Sequence, residues 1–90
     1  MNEKGIKVRI DLDDAIAQGI YSNLAFIRHN ETEFVIDFIY VQPNEPKAKV
    51  RARIISSPSH TKQLLLALKE NVQKYQNKFG VIKSKVSWPE

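Results

Sequence analysis

Hydrophobic positions in the first half of the chain alternate with polar ones, which is the pattern of strands buried on one face. Residues 6–12 place apolar side chains on one side and Lys7, Arg9 and Asp11 on the other. Similar strand patterns return at residues 23–29 and 48–55, and residues 34–41 form a continuous β-branched and aromatic run. Turn-forming sequences, NETE and QPNEP, separate the last three segments. The pattern therefore predicts four strands.

The period changes after residue 55, where a helix-start signal appears. Ser57 is the expected N-cap and Pro58 the first helical residue, because proline has no N–H to leave unpaired there. Gly80 is the expected left-handed stop. An apolar stripe at three- and four-residue spacing fills the interval: Leu64, Leu65, Leu68, Val72, Tyr75 and Phe79. The sequence predicts one long helix here, and a single helical turn capped by Asp13 or Asp14 and ended by Gly19.

Four strands followed by one helix predict an α+β fold of two layers. We expect a four-stranded antiparallel β-meander with the C-terminal helix lying on one face. We expect residues 1–82 to form a single α+β domain and residues 83–90 a C-terminal tail. The alternating tail is compatible with an edge strand, with docking on a partner and with fraying.

The third strand is apolar on both faces, and Asp37 stands within it. When the third and fourth strands pair in the favoured register, one face of the sheet is apolar throughout. This face carries Phe34, Ile36, Phe38, Tyr40, Val50, Ala52 and Ile54. The opposite face then carries Asp37 level with Arg51 or Arg53. We interpret Asp37 as half of a cross-strand ion pair, with a role in binding or chemistry as the alternative.

One helix can cover only one face of this sheet. The other face still shows an apolar patch: Val35, Ile39, Val41 and Ile55, with Ala25 and Ile27 beside them. A patch of this size is usually covered in a working protein. We expect a homodimer or higher homo-oligomer, with a protein partner or a ligand as alternatives.

Composition narrows the class of protein. The chain has 90 residues, a formal charge of +4 and no cysteine, so disulfides and thiolate metal sites are excluded. It has no apolar run of membrane-spanning length. We expect a cytoplasmic protein that does not associate with membranes.

Candidate chemistry is sparse, and we expect no enzyme activity, catalytic residue, metal or cofactor. His29 and His60 are the only histidines, and no nucleophile set accompanies them. The acidic run at residues 11–14 lacks the glycine and distal glutamate of a calcium loop. One candidate polar site remains, and it consists of Tyr21, Ser22, Asn23, Asp37 and Arg53. Residues 21–23 either stabilise a turn or contribute to a small ligand pocket, and the sequence leaves both interpretations open.

Two functions fit these features. The first is a non-enzymatic oligomeric protein-interaction module, which accounts for the apolar patch. The alternative is single-stranded nucleic-acid binding, because Lys49, Arg51 and Arg53 alternate along one predicted strand face. Such sheets stack bases on exposed aromatics. Here the strand aromatics of residues 34–40 fall on the opposite predicted face, which counts against this alternative.

Several short motifs resemble a small prokaryotic family known as domain of unknown function 3467. The resemblance covers residues 6–82 and departs at Thr61, where alanine is expected. It implies a small intracellular prokaryotic protein and brings no activity with it. The matching elements are Tyr21-Ser22-Asn23, Glu33-Phe34, Asp37-Phe38, Pro43, Arg53-Ile54-Ile55, Ser57-Pro58, His60, Lys62, the helix leucines, Tyr75 and Phe79-Gly80.

Overall fold

The computed structural model describes residues 7–84. The fold is α+β, with one antiparallel sheet in the order β1-β2-β3 and a long C-terminal helix. Its elements in chain order are α1 (Asp14–Ala17), β1 (Leu24–His29), β2 (Phe34–Val41), β3 (Ala48–Ser56) and α2 (Pro58–Phe79).

The first segment predicted as a strand does not form one. Residues 7–12 have no regular secondary structure, and Val8, Ile10 and Leu12 are exposed. The described sheet therefore has three strands instead of four. Alternation indicates which side of a segment is apolar, but it cannot supply the neighbouring strand with which the segment must pair. Ile6, the first residue of the prediction, lies outside the described residues.

Local hydrogen bonds explain the turns and helix ends. The Asn30 side chain accepts from the backbone N–H groups of Thr32 and Glu33, at 2.8 and 3.0 Å, and closes the β1–β2 turn. Ser57 caps α2 as predicted, since its Oγ accepts from the His60 N–H at 3.1 Å. Asp13 stands at the N-cap of α1 without a side-chain capping bond.

Glycines end both helices. Gly19 has φ 77° and its N–H donates to the Ile16 carbonyl at 3.0 Å. Gly80 has φ 100° and ψ 167°, so its φ is positive as expected for glycine, although its ψ lies outside the left-handed helical region predicted for it. Its N–H donates to the Gln76 carbonyl at 2.9 Å.

Helix α2 does not lie on the sheet, which corrects the expected two-layer packing. It makes only marginal contact with the strands, and none of its residues is buried. β3 ends at Ser56 and α2 starts at Pro58, so Ser57 alone connects them. Its extended backbone and its capping bond set the direction in which α2 leaves β3.

A β-bulge in β3 changes the predicted faces. Phe38 pairs with Ala52 but Ile39 pairs with Val50, so Arg51 is the extra residue. Beyond the bulge the alternation is reversed: Val50 joins the face of Ile39, and Lys49 lies opposite Tyr40. The predicted register is correct from residue 52 onward and wrong before it.

The sheet has two faces that we name after their central residues. The Ile36 face carries Ala25, Ile27, Phe34, Ile36, Phe38, Tyr40, Lys49, Ala52 and Ile54. The Asp37 face carries Leu24, Phe26, Arg28, Val35, Asp37, Ile39, Val41, Val50, Arg53 and Ile55. Ala25 and Ile27 were expected on the Asp37 face, but the register places them on the Ile36 face. Within residues 7–84, only Ile36 and Asp37 are buried.

The chain continues past α2 without regular structure over residues 81–84. The Ile82 N–H donates to Gln76 Oε1 at 3.0 Å and holds the start of this segment to the helix. The predicted tail falls largely beyond residue 84, outside the described residues. Neither described helix has the length and apolar character needed to cross a membrane.

Candidate interaction surface of the sheet

Asp37 is the centre of an ion-pair cluster on the Asp37 face. Arg53 Nε donates to Asp37 Oδ1 at 2.6 Å, and its terminal Nη2 donates to Oδ2 at 2.9 Å. Arg28 Nη1 adds a third bond to Oδ2 at 3.2 Å. Asp37 is 3% exposed, while both arginines remain partly open to solvent. This two-point Arg53 contact is the strong geometry for an arginine–carboxylate pair.

The arrangement fixes the charge of Asp37. The hydrogen bond from Arg53 lowers the pKa of Asp37 from 3.8 to about 2, against the opposing effect of burial, and Arg28 contributes further. The same contact raises the pKa of Arg53. The predicted ion pair is therefore present, and Arg53 is the partner because it lies directly opposite Asp37, whereas Arg51 is displaced by the bulge.

The patch predicted as an interface surrounds this cluster. Val35 lies opposite Ile55, and Ile39 and Val41 follow on the same face. Phe26 and Leu24 of β1 and Val50 of β3 extend it, and each of these three side chains is about half exposed. The Asp37 face thus combines an ion-paired polar centre, with a net charge of +1, and an apolar surround.

The candidate polar site does not come together as one site. Ser22 lies over the Ile36 face, where it lines an open cavity of about 380 Å³ with Ile20, Phe38, Ala52 and Ile54. Tyr21 meets Tyr40 edge-on, with ring centroids 6.1 Å apart. Asp37 and Arg53 are on the other side of the sheet. The sheet therefore separates Tyr21 and Ser22 from the ion pair.

Asn23 has a structural role that differs from the predicted turn. Its side-chain amide donates to the Val41 carbonyl at 3.1 Å and accepts from the Val41 N–H at 2.8 Å. Its own N–H donates to the Ile39 carbonyl at 3.0 Å. The amide therefore acts like one more peptide group in the β1–β2 ladder. Nothing in sequence spacing indicates a partner 18 residues away.

The basic residues proposed for nucleic-acid binding do not line a single face. Lys49 belongs to the Ile36 face and Arg53 to the Asp37 face, with Arg51 at the bulge between them. An aromatic residue that sequence analysis did not single out joins the arginines instead. The Arg28 guanidinium lies 5.2 Å from the Phe26 ring centroid, and Phe26 is 54% exposed.

Both histidines make ordinary local contacts. His29 stacks on Phe34, its cross-strand partner, with ring centroids 5.2 Å apart. His60 lies in the first turn of α2, where its backbone N–H is bound by Ser57. Among residues 7–84, no three acidic or histidine side chains come close enough to hold a metal ion.

Comparison with known proteins identifies the family and nothing further. No curated protein and no solved structure matches the chain. The family described as Protein of unknown function (DUF3467) matches residues 1–84, which includes every strand and helix described above. The chain therefore belongs to the DUF3467 family.

Proposed function

We propose that this protein is a non-enzymatic interaction module that works as a homodimer or larger homo-oligomer. The observation that carries the proposal is that α2 leaves its own sheet uncovered. Both sheet faces and the helix stripe then stay partly in water. Apolar surface of this extent is stable when another protein surface covers it.

The accessible area supports this interpretation. The chain exposes 8834 Å², whereas a compact protein of 10.4 kDa exposes about 5400 Å². The twelve residues outside 7–84 contribute at most about 2000 Å² of this, even when fully accessible. An excess of about 1400 Å² therefore belongs to the described residues. A stable protein interface needs about 800 Å² from each partner.

The charge of Asp37 supports a binding role over catalysis. A carboxylate with a pKa of about 2 is fully ionised at neutral pH and is poorly suited to accept or donate a proton there. Its bonds to Arg53 and Arg28 pair the charges at the polar centre of the Asp37 face, which keeps a net charge of +1. Another apolar surface can cover the apolar residues of this face, provided that the second arginine keeps solvent or an acceptor.

The mass of the protein in solution tests the proposal. Sedimentation equilibrium or light scattering should give at least twice the 10.4 kDa of one chain. The Ile55→Lys and Ile39→Lys variants should lower that mass, because a lysine would be buried in the interface. Gln42→Lys adds the same charge in the β2–β3 turn and should leave the mass unchanged. A wild-type mass of one chain at all concentrations would overturn the proposal.

A second candidate function is single-stranded nucleic-acid binding, which the Phe26–Arg28 contact favours. An exposed aromatic ring beside an arginine is the local arrangement on which bases stack. Against it, the basic residues are divided between the faces and Asp37 neutralises part of their charge. This candidate therefore ranks below the interaction module.

Fluorescence anisotropy with labelled oligonucleotides tests the second candidate. It predicts micromolar binding to single strands that weakens steeply with added salt. Phe26→Leu should weaken binding about tenfold, since stacking contributes ~1–3 kcal/mol per base. Neutralising Arg51 and Arg53 together should reduce the salt dependence. A flat titration at low salt rejects nucleic-acid binding.

A further inference from the structure

We infer that residues 7–12 of one copy add to the free edge of β1 in a second copy, as the fourth strand of its sheet. The inference rests on the proposed oligomer and names the segment that joins its copies. The inferred contact consists of main-chain hydrogen bonds between two strands, whereas the apolar patch of the Asp37 face would form contacts between side chains. The two can therefore be tested separately.

The segment has the form of a strand without its partner. Val8 and Ile10 are 78% and 87% exposed, which is extreme for the apolar side of an alternating run. Arg9 Nε bonds Asp11 Oδ1 at 2.9 Å. This bond places both polar side chains on one side, as in an extended chain. Residues 7–12 thus have the alternation of a strand but pair with no described strand.

Of the two sheet edges, β1 is the better template. Its six residues pair with β2 in regular register, so its outer edge presents an unbroken row of peptide groups. The other edge, β3, carries the bulge at Arg51 and leads directly into α2. Bulges and edge cations are the features that discourage strand addition. Residues 7–12 match β1 in length.

Side-chain chemistry fits the same pairing. With Val8, Ile10 and Leu12 beside Ala25 and Ile27, the apolar Ile36 face gains another row. The polar side of the segment then meets Phe26 and Arg28. Lys7, Arg9 and Asp11 all come to the side that holds Arg28, whose side chain is 42% exposed. Asp11 supplies a carboxylate there, between Arg28 and the Arg9 to which it is already bonded. The fit of this pairing therefore rests on the apolar surface that it covers.

Cysteine cross-linking tests the contact, since the wild-type chain has no cysteine. Isotope-labelled Ile10→Cys is mixed with unlabelled Ile27→Cys, or with Ala25→Cys for the other register, and oxidised. The matched control is Lys49→Cys, on β3. We expect disulfides between labelled and unlabelled chains to form at least about tenfold more with one of the β1 variants than with the control. All four positions are exposed, so the substitutions should leave the chain folded.

Equal yields at both edges would overturn the inference. An Ile10→Cys/Ile27→Cys double variant that closes only within its own chain would also overturn it, because the segment would then complete its own sheet. Light scattering on the same samples separates this failure from that of the proposed function. If the protein is a dimer but the β1 cross-link does not form, only the inferred strand contact is wrong. If the mass is that of a single chain, both the strand contact and the proposed oligomer are wrong.

Discussion

Replacing Asp37 with asparagine should destabilise the protein more than any other carboxylate-to-amide substitution within residues 7–84. Asparagine keeps the size of the side chain but turns one acceptor oxygen into an N–H donor. That donor would face Arg53 or Arg28, which are themselves donors only. Two cations would also remain on an apolar sheet face without their counter-charge. Urea unfolding followed by circular dichroism, at fixed protein concentration, measures the difference.

The same pair predicts how stability depends on pH. The pKa of Asp37 is lowered from 3.8 to about 2 in the folded protein, so the folded state binds this proton less readily than the unfolded state. Its stabilising contribution is therefore complete above about pH 4 and declines as the pH falls through the range from 3.8 to about 2. Wild type should lose stability across this range more steeply than Asp37→Asn. The two should converge below about pH 2.

Glu31→Gln is the matched control, because Glu31 is an exposed residue of the β1–β2 turn. It should shift the unfolding midpoint little at any pH. Arg53→Gln in the Asp37→Asn background should cost less than Arg53→Gln alone, since the two side chains act as a unit. Equal pH profiles for wild type and Asp37→Asn would show that the ion pair does not contribute to folding.

The ends of α2 and the β1–β2 turn follow from local chemistry, and this explains why they were predictable. The Ser57 cap, the Pro58 start and the Gly80 end depend on residues within one turn of helix. The turn at Asn30 depends on a side chain that binds N–H groups two and three residues away. Such interactions are visible in sequence because the interacting groups are neighbours along the chain.

The predictions that were wrong concern residues whose interaction partners lie far away in sequence or are not in the same chain. The bulge at Arg51 reverses the faces of Val50 and Lys49, and alternation has no signal for one extra residue. The Asn23–Val41 bonds join residues far apart. Residues 7–12 and α2 were expected to pack against other elements of the same chain. Their amphipathic patterns indicate that a covering surface is needed, but not which molecule provides it.

The apolar stripe of α2 provides the second large expected effect. Leu65, Leu68, Val72, Tyr75 and Phe79 follow one another at alternating spacings of three and four residues, which is the spacing of a packing seam. Tyr75 and Phe79 already contact each other, with ring centroids 5.0 Å apart, and Leu68 is 55% exposed. If a second copy covers this stripe, Leu68→Lys should weaken assembly by about a hundredfold or more. Each buried leucine contributes ~1.5–3 kcal/mol, and a symmetric dimer loses two.

Gln63→Lys is the control for this prediction, because it adds the same charge to the same helix away from the stripe. Glutamine and lysine also have similar helix propensities. Dilution series by sedimentation should show dissociation of Leu68→Lys at concentrations where wild type and Gln63→Lys remain assembled. Circular dichroism should still report strands and helix, since Leu68 is 55% exposed and α2 makes only marginal contact with the strands. An unchanged dissociation constant for Leu68→Lys would mean that α2 lies outside the interface and that the sheet alone joins the copies.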